Sequence, residues 1–242
     1  MAQFAVIGHK GRMGAAIEQA LADAGETLGA GIDEGDDVGD ALGGCEGVID
    51  FSAPAALEAN LAAARAASLP ILVGTTGLET SHHALIDEAA RTIPVLQTGN
   101  TSLGVTLMAH LVREAAQRLG PDWDIEVLEM HHRAKVDAPS GTAMLLGEAA
   151  AEARGIALGD HMESGRHGQT GARGEGTIGF AALRGGTVAG DHSVIFAGSE
   201  ERLTIAHSAE NRMIFARGAV RAGRWLIGKA PGRYTMGDVL AL

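Results

Sequence analysis

In the first hundred residues short apolar runs alternate with segments of helical period, and few folds accommodate that pattern. Phe4 to Ile7 is continuously apolar and stops at Gly8, the pattern of a strand buried on both faces. Met13, Ile17, Ala20, Leu21 and Ala24 then recur at helical spacing, and Gly25 closes the helix. Leu28 to Ile32 is a second strand, tipped by Asp33. Further strands are expected over Val48 to Phe51, Pro70 to Val73 and Pro94 to Leu96. Between them lie an Ala- and Leu-rich helix, opened by Ser52 and Pro54 and running through Ala67, and another over residues 80–91. This alternation predicts an α/β fold: a doubly wound parallel sheet with ligands at the C-terminal ends of its strands.

The first of those ends reads Gly8-His9-Lys10-Gly11-Arg12-Met13-Gly14. Its glycines let the backbone approach a pyrophosphate at the helix start, and Asp33 can accept hydrogen bonds from a ribose. A glycine loop alone says little. Its place between strand and helix, with an acid at the next strand end, points to a dinucleotide. Gly74-Thr75-Thr76-Gly77 and Thr98-Gly99-Asn100-Thr101 follow the fourth and fifth strands, so both loops are cofactor-site candidates. Plain turn chemistry is the alternative for each.

Leu103, Leu107, Met108, Leu111, Val112, Ala115 and Leu119 form one long apolar stripe, expected to pack in a core. Beyond Gly120-Pro121 the character changes. Asp124 to Glu129 is strand-like, and a helix is expected from Thr142 to Arg154, stopped by Gly155. Residues 159–176 are polar, glycine-rich and aperiodic, and read as a long loop. Then come Thr177–Arg184, a Gly185-Gly186 turn, Ser193–Ala197 and Leu203–His207. These β-rich segments have no helix between them and predict an open, mixed or antiparallel sheet whose exposed face favours self-association. The helical period returns from Arg212 to Lys229, and the tail runs from Tyr234 to Leu242.

Between the strand and the helix of this second half, residues 131–135 hold His131, His132, Arg133 and Lys135 in a chain of net charge −11. That acidic balance argues against nucleic-acid or membrane partners, and means an anionic substrate relies on a local cationic patch. Adjacent histidines on an extended segment point to opposite sides, so chelating one metal with both is awkward, and no other ligand set is present. Ser140 lacks a nucleophile elbow and is better placed to cap the helix. A hydride-transfer enzyme needs a proton source near its acceptor, which His131 and Lys135 can supply. Lys135 with His132 can hold one carboxylate, and the Gly141 and Thr142 N–H groups a second. The residues thus point to an NAD(P)-linked reductase of a small dicarboxylate. The single cysteine, Cys45, cannot form a disulfide within the chain, and no basic leader or transmembrane-length run is present. A cytoplasmic protein is expected.

The run Glu129-x-His131-His132-x-x-Lys135-x-Asp137-Ala138-Pro139-Ser140-Gly141-Thr142-Ala143 resembles the signature of the 4-hydroxy-tetrahydrodipicolinate (dihydrodipicolinate) reductase family of the diaminopimelate route to lysine. The likeness extends over essentially the whole chain. It takes in the glycine loop at 8–14, the 74–77 loop, Asn100-x-Ser102-x-Gly104-Val105, and Gly185-Gly186-x-Val188-x-Gly190-Asp191-His192. The resemblance implies a Rossmann-like dinucleotide-binding domain from residues 1–101 and 212–242. It also implies an α+β substrate-binding and oligomerisation domain from residues 102–211, in a homotetramer. By position His131 corresponds to the family's proton donor and acceptor, Lys135 to its proton donor, and His132, Gly141 and Thr142 to substrate-binding positions. Gly8, His9, Lys10, Gly11, Arg12, Met13, Asp33, Gly74, Thr75, Thr76, Thr98, Gly99, Asn100 and Thr101 correspond to the cofactor site. The departures fall there. His9 stands where a small residue is common, Thr101 where Phe is often found, and Glu34 where NADPH-using members can carry Arg. Asp33 with Glu34 therefore predicts NADH in preference to NADPH. A nucleotide-sensing protein without catalysis is the alternative, but it would be expected to lack the proton donors present here.

Overall fold

The computed structural model describes residues 1–242. The chain divides into two compact units, Met1–Leu103 with Arg212–Leu242, and Gly104–Asn211. In chain order the first unit begins β1 (Gln3–Ile7), α1 (Arg12–Asp23), β2 (Thr27–Ile32), α2 (Val38–Ala41) and β3 (Gly47–Asp50). A 3₁₀ turn at Pro54–Ala56 leads into α3 (Leu57–Ala66), β4 (Ile71–Val73), α4 (Thr80–Ala90) and β5 (Pro94–Gln97). The second unit follows as α5 (Leu103–Leu119), β6 (Asp124–His131), α6 (Gly141–Ala153), α7 (Leu158–His161), β7 (Met162–Ser164), β8 (Ile178–Arg184), β9 (Gly190–Ala197) and β10 (Arg202–Ala209). The chain then returns to the first unit as α8 (Met213–Leu226), β11 (Gly232–Tyr234) and α9 (Met236–Leu240).

The first unit is a six-stranded parallel sheet in the order β11-β5-β4-β3-β1-β2. Its central strands β1, β3, β4 and β5 are largely apolar because both faces are covered. Ala5, Ile7, Val48, Ile71, Val73 and Val95 face a core closed by α3 and α4. Their chain neighbours Phe4, Val6, Ile49, Leu72 and Leu96 face another, closed by α1, α8 and α9. Period-two alternation thus divides each run between two cores. The strand order reverses between β1 and β3, which makes that edge the topological switch point of the sheet.

The second unit holds a five-stranded mixed sheet, β10-β9-β6-β8-β7. β9 runs antiparallel to β6 and β10, whereas β8 runs parallel to β6 and β7. One face packs Ile125, Val127, Ile178, Phe180, Val194 and Phe196 against Met108 and Val112 of α5 and Leu146 and Ala150 of α6. The opposite face has no helix over it. Leu128, Met130 and Ile195 lie half-buried there, and Leu183 is exposed.

Two expectations need correction. On α5 the inward line is Val105, Met108, Val112 and Ala116, while Leu107 and Leu111 are each 44% exposed. The stripe is wider than the surface the sheet covers. Residues 159–176 are not all loop: α7 and β7 occupy their start, and β7 pairs with β8. The remainder is pinned by arginines. Arg173 donates to Asp124, Glu126 and the carbonyls of Ile125 and Thr177, and Arg166 bridges Glu126 and Glu163. At the start of the tail, Gly232–Tyr234 adds β11 to the edge of the parallel sheet beside β5, an element not expected from the sequence.

Candidate active site

Along β6, Ile125, Val127, Glu129 and His131 are buried, and the residues between them are less so. The first pair is apolar and the second polar, so the core-facing row becomes a site where the strand ends. A carboxylate that is 1% exposed needs partners. Glu129 has four donors around it. Arg184 Nη1 and Nη2 reach its two oxygens at 2.7 and 2.8 Å, His131 Nδ1 lies 2.7 Å from Oε2, and the Ser140 N–H donates to Oε1 at 3.1 Å. Burial works to raise the carboxyl pKa, but the Arg184 and His131 bonds overcome it and hold Glu129 below the usual glutamate range.

Sheet register brings these partners together from distant parts of the chain. His131 pairs with Arg184 on β8, and Glu129 lies opposite His192 on β9. His192 is buried, with Nε2 2.9 Å from Ser140 Oγ. Its ring stands edge-on to His131, centroids 5.1 Å apart. Burial lowers its pKa to about 4, and the neighbouring His131 acts in the same direction.

The segment after β6 is clamped to the β8–β9 turn: Gly185 N–H donates to the His131 carbonyl at 2.9 Å and Arg133 N–H to the Gly186 carbonyl at 3.2 Å. The Lys135 N–H closes a turn on the His132 carbonyl, and its ammonium donates to both Asp137 oxygens at 2.8 Å. That bond holds the Asp137 carboxyl below its ordinary range. His132 is half-buried beside this turn. Ser140 caps α6, its Oγ accepting from Ala143 N–H at 3.1 Å. Gly141 and Thr142 open the helix, and at Gly141 a Cβ would meet nothing within 4 Å. A histidine on a buried carboxylate, an ammonium and an open helix start therefore lie within thirteen residues of one another (129–141). Such a group can move a proton and hold an anion. The sequence pattern missed Arg184 and the contact roles of Glu129 and His192. Glu129 carried a signal, two residues before His131 on one strand face; Arg184, across the sheet, carried none.

In the first unit the predicted cofactor residues gather at the C-terminal ends of β1, β2, β4 and β5. Gly8 has φ +81°, and a Cβ there would lie 2.6 Å from the Phe51 carbonyl oxygen, so only glycine lets β1 turn beside β3. Gly14 lies against the carbonyls of Gly8 and His9 just as closely. Gly11 caps α1 without any side-chain bond to its first turn, and Arg12 begins the helix. Asp33 accepts the Lys10 N–H at 3.0 and 3.2 Å, and Lys10 Nζ lies 3.8 Å away. His9 packs against Gly31 and bonds Glu18 at 3.0 Å, while Met13 sits against the core. Gly74 faces the Phe51 ring, Thr75 is buried and Thr76 exposed. Thr98 Oγ1 donates to the Asn100 carbonyl at 2.8 Å and accepts the Asn100 N–H; beyond Gly99, Thr101 Oγ1 donates to the Phe215 carbonyl at 2.7 Å. A glycine cradle at a switch point, a helix start and an acid at the next strand fit a dinucleotide.

Fold and sites define an NAD(P)H-dependent oxidoreductase. Profiles described as dihydrodipicolinate reductase, N-terminus and C-terminus, match residues 2–101 and 104–240. The chain belongs to the dihydrodipicolinate reductase family. A 4-hydroxy-tetrahydrodipicolinate reductase of Rhodopseudomonas palustris (strain HaA2) is 48% identical, over 98% of this chain and 96% of that protein. One from Zymomonas mobilis subsp. mobilis is 51% identical over the same shares. The dipicolinate-bound dihydrodipicolinate reductase from Paenisporosarcina sp. TG-14 has the same fold, with a TM-score of 0.77 at 22% identity and 97% of both chains covered. No helix is long and apolar enough to cross a membrane.

Proposed function

We propose that the chain reduces 4-hydroxy-tetrahydrodipicolinate to tetrahydrodipicolinate, with His131 and Lys135 managing the protons. The hydroxyl leaves as water, taking one proton, and a hydride replaces it on carbon. Bound NADH or NADPH supplies that hydride. The observation that carries this reading is the placement of His131, backed by buried Glu129, at the end of β6 with Lys135 four residues on. His131 is the proton donor and acceptor and Lys135 a donor. Lys135 with His132 receives one substrate carboxylate, and the N–H groups of Gly141 and Thr142 at the start of α6 receive the other. The dipicolinate held by the Paenisporosarcina enzyme, a small dicarboxylate, supports that substrate class. Gly8–Met13, Asp33, Gly74–Thr76 and Thr98–Thr101 would hold the dinucleotide, and NADH would be preferred because Asp33 and Glu34 oppose a 2′-phosphate. The helix-free sheet face around Leu128, Met130, Leu183 and Ile195 supports a homotetramer, and light scattering at four times 24.8 kDa tests it.

The enzymatic test supplies substrate in situ from pyruvate and aspartate semialdehyde with the preceding condensing enzyme, and follows absorbance at 340 nm. His131→Ala and Lys135→Ala are each expected to lower kcat by about 10²–10⁴-fold, the range for loss of a general acid. NADH affinity, measured by fluorescence titration, should hardly change. His132→Ala is expected to raise KM for the dicarboxylate more than it lowers kcat. Full activity in His131→Ala or Lys135→Ala would move the proton chemistry to other residues.

A further inference from the structure

The side chain of Glu129 is four-coordinated by hydrogen-bond donors, and that arrangement dictates where the proton of His131 sits. An ionised carboxylate only accepts hydrogen bonds. Arg184 fixes Glu129 in the ionised form through two charge-assisted bonds at 2.7 and 2.8 Å, and the Ser140 N–H adds a third. The hydrogen in the 2.7 Å contact between Oε2 and His131 Nδ1 therefore belongs to the ring. His131 Nε2 lies on the opposite edge of the imidazole. A Cβ on Gly190 would come within 3.0 Å of that atom, so the missing side chain of Gly190 leaves Nε2 room. His192 from β9 stands edge-on at 5.1 Å, with Nε2 on Ser140 and Nδ1 without a hydrogen-bond partner, so it makes no bond to the ring.

We propose that Glu129 is the positioning residue of the proton-transfer step: it holds His131 with Nδ1 protonated, so that Nε2 exchanges the proton with substrate, and Arg184 holds Glu129 in place. This rests on the reading of His131 as the proton-transfer group. The charged and titratable neighbours are few. Glu129 faces His131 along β6, Arg184 from β8 and His192 from β9. His207 and Asp191 act on His192, and Asp137 acts on Arg184, whose Nη2 donates to the Asp137 carbonyl at 2.7 Å. A carboxylate stabilises the imidazolium that forms when Nε2 takes a proton, and the Arg184 guanidinium limits that gain. The ring can then release its proton again within a catalytic cycle.

The experiment combines ¹⁵N spectroscopy of histidine-labelled protein with the pH profile of kcat/KM for wild type, Glu129→Gln and Arg184→Lys. Wild type at neutral pH is expected to show His131 in the Nδ1–H tautomer. Glu129→Gln should lose that uniform tautomer, lower kcat by about 10²-fold with KM within about threefold, and move the limb reporting the essential acid to lower pH by about one unit. Arg184→Lys keeps the charge but not the two-pronged clamp, and should lower kcat by about tenfold while retaining the tautomer. An Nε2–H tautomer in wild type overturns the proposal, as does a Glu129→Gln enzyme with unchanged kcat and pH profile. If Glu129→Gln does not fold, the wild-type tautomer and the Arg184→Lys kinetics decide. Full activity in His131→Ala would overturn the catalytic reading instead, leaving the tautomer assignment to stand on its spectrum.

Discussion

At the scale of single residues, the lowered pKa of His192 couples folding to pH. The folded protein keeps this ring neutral down to about pH 4, whereas an unfolded chain protonates it near 6.5. Above 6.5 both states leave it neutral and its contribution is complete. As pH falls from 6.5 towards 4 only the unfolded state takes up the proton, so stability is lost across that window. Between pH 7 and pH 5 the loss from this group is about 2 kcal/mol. His192→Phe keeps an aromatic ring in the space and removes the proton. It is expected to be less stable at pH 7, because Ser140 loses a partner, but to lose about 2 kcal/mol less than wild type between pH 7 and 5 in urea unfolding. Equal slopes would mean that other groups dominate the acid limb. The histidine was visible in the sequence only as part of a glycine-rich motif. What makes it special is register: β9 runs antiparallel to β6, so His192 comes opposite Glu129 rather than facing solvent. The same applies to Arg184, which parallel pairing sets beside His131. His131, Lys135 and the Ser140 cap were legible because their relations are local, within one turn or one helix start.

Among the elements, α8 shows how the chain's two ends are locked into one parallel sheet. Gly218 lies so close to the Thr101 carbonyl that an added Cβ would overlap it, while Thr101 Oγ1 bonds the Phe215 carbonyl from the other side. Helix and 98–101 loop therefore interlock through backbone. Gly218→Ala is expected to push them apart, costing about 1–3 kcal/mol, as overpacking does, and to weaken NADH binding several-fold through the displaced loop. Gly159→Ala in α7, where nothing lies within 4 Å of a new Cβ, is the control and should leave both unchanged. Calorimetry and NADH titration check the pair. An unaltered Gly218→Ala protein would mean the loop shifts freely. The sequence showed α8 by its period, and showed β1 to β5 by apolar runs bounded by glycine, proline or acid. It did not show β7 or β11, three residues each and of mixed polarity, which carry neither a period nor the apolar run that marks β4. Both are strands only because a neighbour's edge pairs with them. Leu107 and Leu111 mark the opposite limit, where an apolar stripe exceeds the area that its own unit covers.

For the molecule as a whole, charge is the ground on which NADH is expected in preference to NADPH. The chain carries a net −11, and NADPH brings nearly two more negative charges than NADH on its 2′-phosphate. Long-range repulsion from the protein reaches about 8–10 Å at ordinary ionic strength, so most of the discrimination is local. Locally, Asp33 comes directly after β2 and Glu34 follows it exposed to solvent. One like-charge contact near 4 Å costs up to ~4 kcal/mol near a protein surface, and solvent and salt reduce that to nearer ~1 kcal/mol. Lys10 opposes this: its Nζ lies 3.8 Å from Asp33 and its side chain is 80% exposed, which leaves it able to turn to a phosphate. Asp33 is also bound to the Lys10 N–H, so it holds the glycine loop and cannot be removed cleanly. Glu34 is the position at which to test the charge. Wild type is expected to favour NADH by about tenfold in kcat/KM, equivalent to ~1.4 kcal/mol. Glu34→Arg should raise kcat/KM for NADPH by about tenfold or more and leave NADH within about threefold. Raising salt should shrink the wild-type preference, because an exposed repulsion is screened. Steady-state kinetics with each cofactor at low and high salt give all of these ratios. A wild-type preference for NADPH, or a Glu34→Arg enzyme no better with NADPH, would mean that Lys10 and Arg12 govern the 2′ position instead.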